Sequence, residues 1–200
     1  MVREFATNEE VSSIDFNTDS TRAITGSSLF GRAILWDVAT GKEIKRFSYS
    51  GQGAILSAVF GPDDSTILGS CTGALYLWDV ETAKIIRRYK GIPTFPWSLT
   101  ISPDGKYVFS GTSDGTMILW DFSTREELYR SNLLQPVFSV IFSPDSRIIY
   151  AASRDGKMVE LHIAEQSLPE LLKWIDENRY VRELNCDERQ QYRVEPLCKP

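Results

Sequence analysis

The chain has 200 residues, 42% of them apolar and 12% aromatic. That suffices for the core of one domain, or at most two small ones, and excludes disorder by composition. A net charge of −5 argues against general affinity for nucleic acid or acidic membranes, and the longest uncharged stretch, Phe47 to Pro62, is too broken by Ser, Gly and Gln to span a bilayer.

The opening residues, MVREFATNEE, carry charge where an export signal needs an apolar run, so a cytoplasmic setting is expected. Cys71, Cys186 and Cys198 form no C-x-x-C, and His162 is the one histidine. A zinc site would consume all four at spacings that match no zinc pattern, so neither metal nor cofactor is expected and the cysteines read as thiols.

After residues 1–5, four copies of one pattern follow, over 6–47, 48–89, 90–130 and 131–164. Each begins with a serine-led alternation ending in aspartate: Ser13 to Asp19, Ser57 to Asp63, Ser98 to Asp104 and Ser139 to Asp145, the serines spaced 44, 41 and 41 apart. A small pair follows: Gly26-Ser27, Gly69-Ser70, Gly111-Thr112 and Ala152-Ser153. Trp36-Asp37, Trp78-Asp79 and Trp120-Asp121 then recur at a spacing of 42. The third copy shows the elements: alternation through Trp97, Leu99 and Ile101, a turn at Pro103 to Gly105, a strand from Tyr107 to Ser110, a turn at Ser113 to Gly115, and a strand from Met117 to Trp120. A more polar fourth strand follows the Thr124-Arg125 turn. Four short strands per copy predict a small antiparallel sheet stacked on its neighbours.

These residues resemble the WD-repeat β-propellers over roughly 1–164. The resemblance implies an all-β fold of four-stranded, wedge-shaped blades around a channel, acting as an interaction platform without chemistry of its own. Asp114 and Asp155 match the turn aspartate of the family's buried network, while Thr112, Ser153, Trp36, Trp78 and Trp120 match other members. The usual Gly-His is absent, so the network is incomplete and rigidity is expected to rest on apolar packing.

In the fourth copy, a 41-residue step takes Trp120 to Leu161, Asp121 to His162 and Leu128 to Pro169. Proline removes a ladder donor, so this blade is expected to have three strands of its own. The outer strands Ile44-Lys45-Arg46-Phe47 and Ile86-Arg87-Arg88-Tyr89 share their apolar, basic, polar and aromatic order with Val2-Arg3-Glu4-Phe5. Those four residues therefore read as an outer strand that completes a last blade. Three outcomes stay open: an eight-bladed ring made with a second copy, the C-terminal part of a longer propeller, or a closed four-bladed ring. The first ranks highest because strand exchange between identical chains removes exposed edges at low cost.

Residues 165–200 change period. Ser167 to Glu170 is a capping box, and Leu168, Leu171, Leu172 and Ile175 form an amphipathic stripe ending near Asn178. A second box at Asn185 to Glu188 opens a shorter helix to about Tyr192, and Val194 to Cys198 reads as extended. This stripe either docks on the propeller wall or recruits a partner. Trp174 to Cys198 resembles a tail following WD repeats in large bacterial proteins, including signalling ATPases and Ser/Thr kinases. That likeness implies a bacterial origin and a free-standing relative or detached end of such a protein.

Catalytic patterns are imitated rather than met. Gly26 to Gly31 has phosphate-loop glycine spacing, but Arg32 and Ala33 stand where Lys and Ser/Thr are required, and a strand follows instead of a helix. Gly69-Ser-Cys-Thr-Gly73 imitates a nucleophile elbow but also leads into a strand, making Cys71 a small core residue. His162 substitutes for the Trp-Asp aspartate. Asp63-Asp64 and Glu126-Glu127 read as solvated turn residues, and the basic pairs Lys45-Arg46 and Arg87-Arg88 as charges that discourage edge association. A channel-lining enzyme site finds no selecting feature. Connectivity collects Leu29, Phe30, Tyr49, Ile92, Phe95, Leu133 and Leu134 on one loop face, read either as a recognition surface or as loop packing. The expectation is a non-enzymatic scaffold binding a copy of itself and another protein. The alternative is a sensor or regulatory part of a bacterial signalling ATPase or kinase.

Overall fold

A computed structural model describes residues 5, 7, 9–50 and 53–163. The chain divides into two units, Met1–Ile163 and Ala164–Pro200, and the strands below belong to the first. Val2, Arg3, Glu4, Cys186, Cys198 and the expected helices of 165–200 lie outside the described residues.

The described residues are all-β, with four antiparallel sheets arranged as propeller-like blades. The first holds β1 (Val11–Phe16), β2 (Arg22–Ser27), β3 (Arg32–Asp37) and β4 (Glu43–Ser48), paired in chain order. The second repeats this with β5 (Ile55–Phe60), β6 (Thr66–Cys71), β7 (Ala74–Asp79) and β8 (Ile85–Tyr89). In the third are β9 (Pro96–Ile101), β10 (Tyr107–Thr112), β11 (Thr116–Asp121) and β12 (Glu127–Asn132). The fourth has β13 (Val137–Phe142), β14 (Ile148–Ser153) and β15 (Met158–His162).

Turn chemistry explains the recurring aspartates. Asp104 Oδ1 accepts from the Ser102 hydroxyl at 2.6 Å and the Lys106 amide at 3.1 Å, and Asp145 does the same with Ser143 and Arg147. The residue after each such aspartate, Ser20, Asp64, Gly105 or Ser146, takes the left-handed conformation that reverses the chain. The Trp-Asp aspartate closes a second turn. Asp37, Asp79 and Asp121 accept the amides of Thr40, Thr82 and Thr124, each at 2.7 Å, and the chain bends back into β4, β8 or β12. His162 holds that place in the fourth sheet, where an acceptor-only carboxylate is lost and no outer strand occurs among the described residues.

The core lies between blades. Phe47, Ile55 and Trp78 pack between the first and second, Tyr89, Leu99 and Trp120 between the second and third, and Phe109, Val137 and Phe142 between the third and fourth. Inner strands β1, β5, β9 and β13 sit side by side in that order, whereas β13 has no comparable contact with β1 among the described residues. Ser13 Oγ accepts the Ala58 amide, Asp15 Oδ2 the Phe60 amide and Ser98 Oγ the Val140 amide, so backbone of one blade is held by side chains of the one before. The small-residue mark serves this approach. A Cβ on Gly111 would stand 2.3 Å from Val137 Cγ1.

Candidate interaction surfaces

Phe5 packs edge-on against Trp36, ring centroids 5.9 Å apart at 88°. The contact recurs as Phe47 on Trp78 (6.4 Å, 62°) and Tyr89 on Trp120 (6.0 Å, 66°). Phe5, Phe47 and Tyr89 are each 42 residues apart. In the two later cases the aromatic belongs to the outer strand of the preceding blade. Phe5 thus holds the place of an outer-strand aromatic from a blade preceding the first.

The face of β1 on that side is open. Val11, Ile14 and Phe16 are 47%, 62% and 49% exposed, while their counterparts Val137, Val140 and Phe142, covered by the third blade, are buried. At the other end of the row, Ile141 and Met158 are 60% and 71% exposed.

The basic outer-strand residues do more than discourage edge association. Lys45 Nζ donates to the Val80 carbonyl at 3.0 Å and also contacts the Glu81 carbonyl, and Arg87 Nη1 donates to the Phe122 carbonyl at 2.8 Å. Tyr89 Oη adds a bond to the same Phe122 oxygen. Each cation staples its blade to the next. Arg46 pairs with Glu43 at 2.7 Å, and Arg88 lies over the Tyr76 ring.

The blade-structural residues form two separate sets instead of one network. Trp36 Nε1 donates to Thr25 Oγ1 at 2.9 Å, and Trp78 Nε1 to the Ser48 carbonyl at 3.0 Å. Asp114 closes its own turn, accepting from the Thr112 hydroxyl and the Thr116 amide. Burial raises its carboxyl, but these hydrogen bonds prevail and hold it below the usual range. Asp155 accepts from Ser153, and its Lys157 partner leads in bringing it down to about 2. Trp120 is buried under Tyr89.

The loop face separates into two groups. Leu29, Phe30, Phe95 and Leu134 are exposed. Tyr49 and Leu133 are half-buried against the cores, and Ile92, grouped with the recognition residues, is 6% exposed within the core between the second and third blades. The left-handed Gly91 just before it precedes this inward position, so Ile92 is packing rather than contact surface. Sequence reasoning missed Glu9. Its side chain is 8% exposed, with Oε1 3.3 Å from Arg32 Nη1 and 3.5 Å from Arg46 Nη1.

Burial pushes the Cys71 thiol far up, away from the reactive thiolate. His162 Nε2 lies 2.6 Å from Glu160 Oε1 at the surface. Among the described residues no group of His, Cys, Asp and Glu is arranged to hold a metal, and no helix is long and apolar enough to cross a membrane.

Repeating blades packed through an aromatic pair define a propeller-type repeat protein. The family model for the WD domain, G-beta repeat, matches residues 84–121 and 129–159, which supports a WD-repeat family. Each matched unit takes in most or all of an outer strand and continues into three strands of the next blade, so the sequence repeat straddles two blades. No curated protein matches the chain.

Proposed function

We propose that this protein is a non-enzymatic interaction scaffold that completes its propeller with a second copy and binds another protein on its loop face. The Phe5–Trp36 contact carries the reading, because it repeats the interblade contact for a blade whose inner strands do not occur among the described residues. The fourth blade has the complementary deficit, a free outer edge at β15 among the described residues.

Register supplies a second support. Phe47 and Tyr89 lie opposite Ala33 and Leu75, and Lys45 and Arg87 opposite Leu35 and Leu77. Carried to the fourth blade, that pairing sets Phe5 across from the partner's Met158 and Arg3 across from the partner's Glu160. An aromatic over a thioether and an opposite-charge pair are both favourable cross-strand neighbours. Two copies related by a twofold axis would make this contact twice, covering Ile14 and Phe16 of each chain with the exposed face of the other's last blade.

Light scattering at micromolar concentration is expected to return twice the chain mass. A monomer mass would overturn the self-assembly reading.

A further inference from the structure

Thr7, Ile34, Trp36 and Arg46 stand 42 residues before Tyr49, Tyr76, Trp78 and Arg88. Around the second blade the later set forms a filled wall. The Tyr49 ring lies 5.2 Å from Tyr76, Tyr76 stacks 5.9 Å from Trp78, and the Arg88 guanidinium covers Tyr76 at 5.3 Å. Around the first blade, threonine and isoleucine replace both tyrosines, and a cleft of about 280 Å³ remains, lined by Thr7, Phe30, Ile34, Trp36 and Arg46 among others.

Glu9 also lines this cleft. Its Oε1 faces Arg32 and Arg46, but Oε2 is buried with no hydrogen-bond partner. A buried acceptor without a donor is rare in native proteins and calls for an explanation. The vacated space has the shape requirement of a ring, and the orphan oxygen requires a donor.

We infer that the cleft is a socket for a tyrosine side chain of a protein partner. The phenol ring fills the place that the tyrosines occupy around the second blade, beside Trp36 and under Arg46. A small rotation of Glu9 presents Oε2 to the phenol hydroxyl. A phosphorylated ring would meet Glu9 and Glu43, whereas a lysine would leave the apolar wall unfilled. The volume lies at the small end of ligand sites and suits one side chain rather than a larger molecule. Phe30 joins the socket to the loop face, so the inference rests on the proposal that this face receives a protein.

The test titrates the full chain with N-acetyltyrosinamide and N-acetylphenylalaninamide, followed by ligand-observed NMR. A hydrogen bond to a charged acceptor makes the tyrosine compound about tenfold tighter. Glu9→Gln reduces that preference, and Thr7→Tyr, which refills the space, abolishes binding while the melting curve shows the protein folded. Equal affinity for the two compounds, no binding of either, or binding that survives Thr7→Tyr would overturn the inference. A five-residue peptide with a central tyrosine is expected to bind more tightly than tyramine, and equality would shift the site to small phenols and sink the protein-partner claim. Solution mass and the loop-face changes at Phe95 and Leu134 remain separate tests of the underlying function, since neither residue lines the socket.

Discussion

Replacing Phe5 by alanine removes a half-buried ring that meets Trp36 edge-on at 5.9 Å. Half of a phenylalanine's burial is worth about 1 to 1.5 kcal/mol, and the aromatic pairing adds about 1 kcal/mol, giving roughly 2 to 3 kcal/mol per contact. That contact lies within one chain and is kept when copies separate, so its loss lowers the chain's own Tm. Association instead loses the cross-strand neighbour proposed with the partner's Met158, about 0.3 to 1.5 kcal/mol at each of two sites, or roughly a threefold to hundredfold rise in the dissociation constant. Sedimentation over a dilution series reads this directly. Phe5→Ala should dissociate at concentrations where the wild type stays paired. Phe5→Tyr should remain paired, because Tyr89 fills the equivalent place and donates to the Phe122 carbonyl. Wild-type mass for Phe5→Ala at every dilution would refute the reasoning.

Ala152 stands at the end of the row where Gly26 and Gly111 meet the next inner strand, and a Cβ at those glycines would stand 2.6 Å from the Ile55 carbonyl oxygen and 2.3 Å from Val137 Cγ1. Ala152→Gly is therefore expected to tighten self-association in the same sedimentation assay, and weaker association would count against a partner's β1 packing there. Acid should destabilise the fold. The carboxyls of Asp79, Asp114, Asp121 and Asp145 are held below their ordinary range, and Asp155 down to about 2. A depressed carboxyl contributes stability above its unfolded pKa that is lost as pH falls through the folded one, so the Tm should drop between about pH 4 and 2, and a flat profile would contradict the turn assignment. Changing Phe95 and Leu134 together to serine should remove binding of a protein partner and leave circular dichroism and melting intact, since both are exposed. Unfolding would show that they pack instead.

Propeller architecture was legible because its determinants are local and periodic. An aspartate that closes a turn acts over two or three residues, as Asp104 and Asp121 do, and a glycine under a neighbouring strand recurs with each blade. The same period marked where the last sheet departs from the others, because Leu161 and His162 occupy the Trp-Asp positions and no outer strand follows among the described residues.

What the tertiary structure alone decided lies between blades. Lys45 and Arg87 serve as interblade donors because carbonyls 35 residues away point at them, and Ile92 turns inward beside a left-handed glycine, although its sequence neighbours remain outside. The Trp36 and Trp78 indoles choose different acceptors, a hydroxyl and a carbonyl, according to what the adjoining strand offers. Glu9 shows the limit most clearly, since its burial and its unpaired oxygen arise from arginines that fold against it from β3 and β4. A one-dimensional pattern records which residues recur, whereas burial and pairing depend on which walls meet.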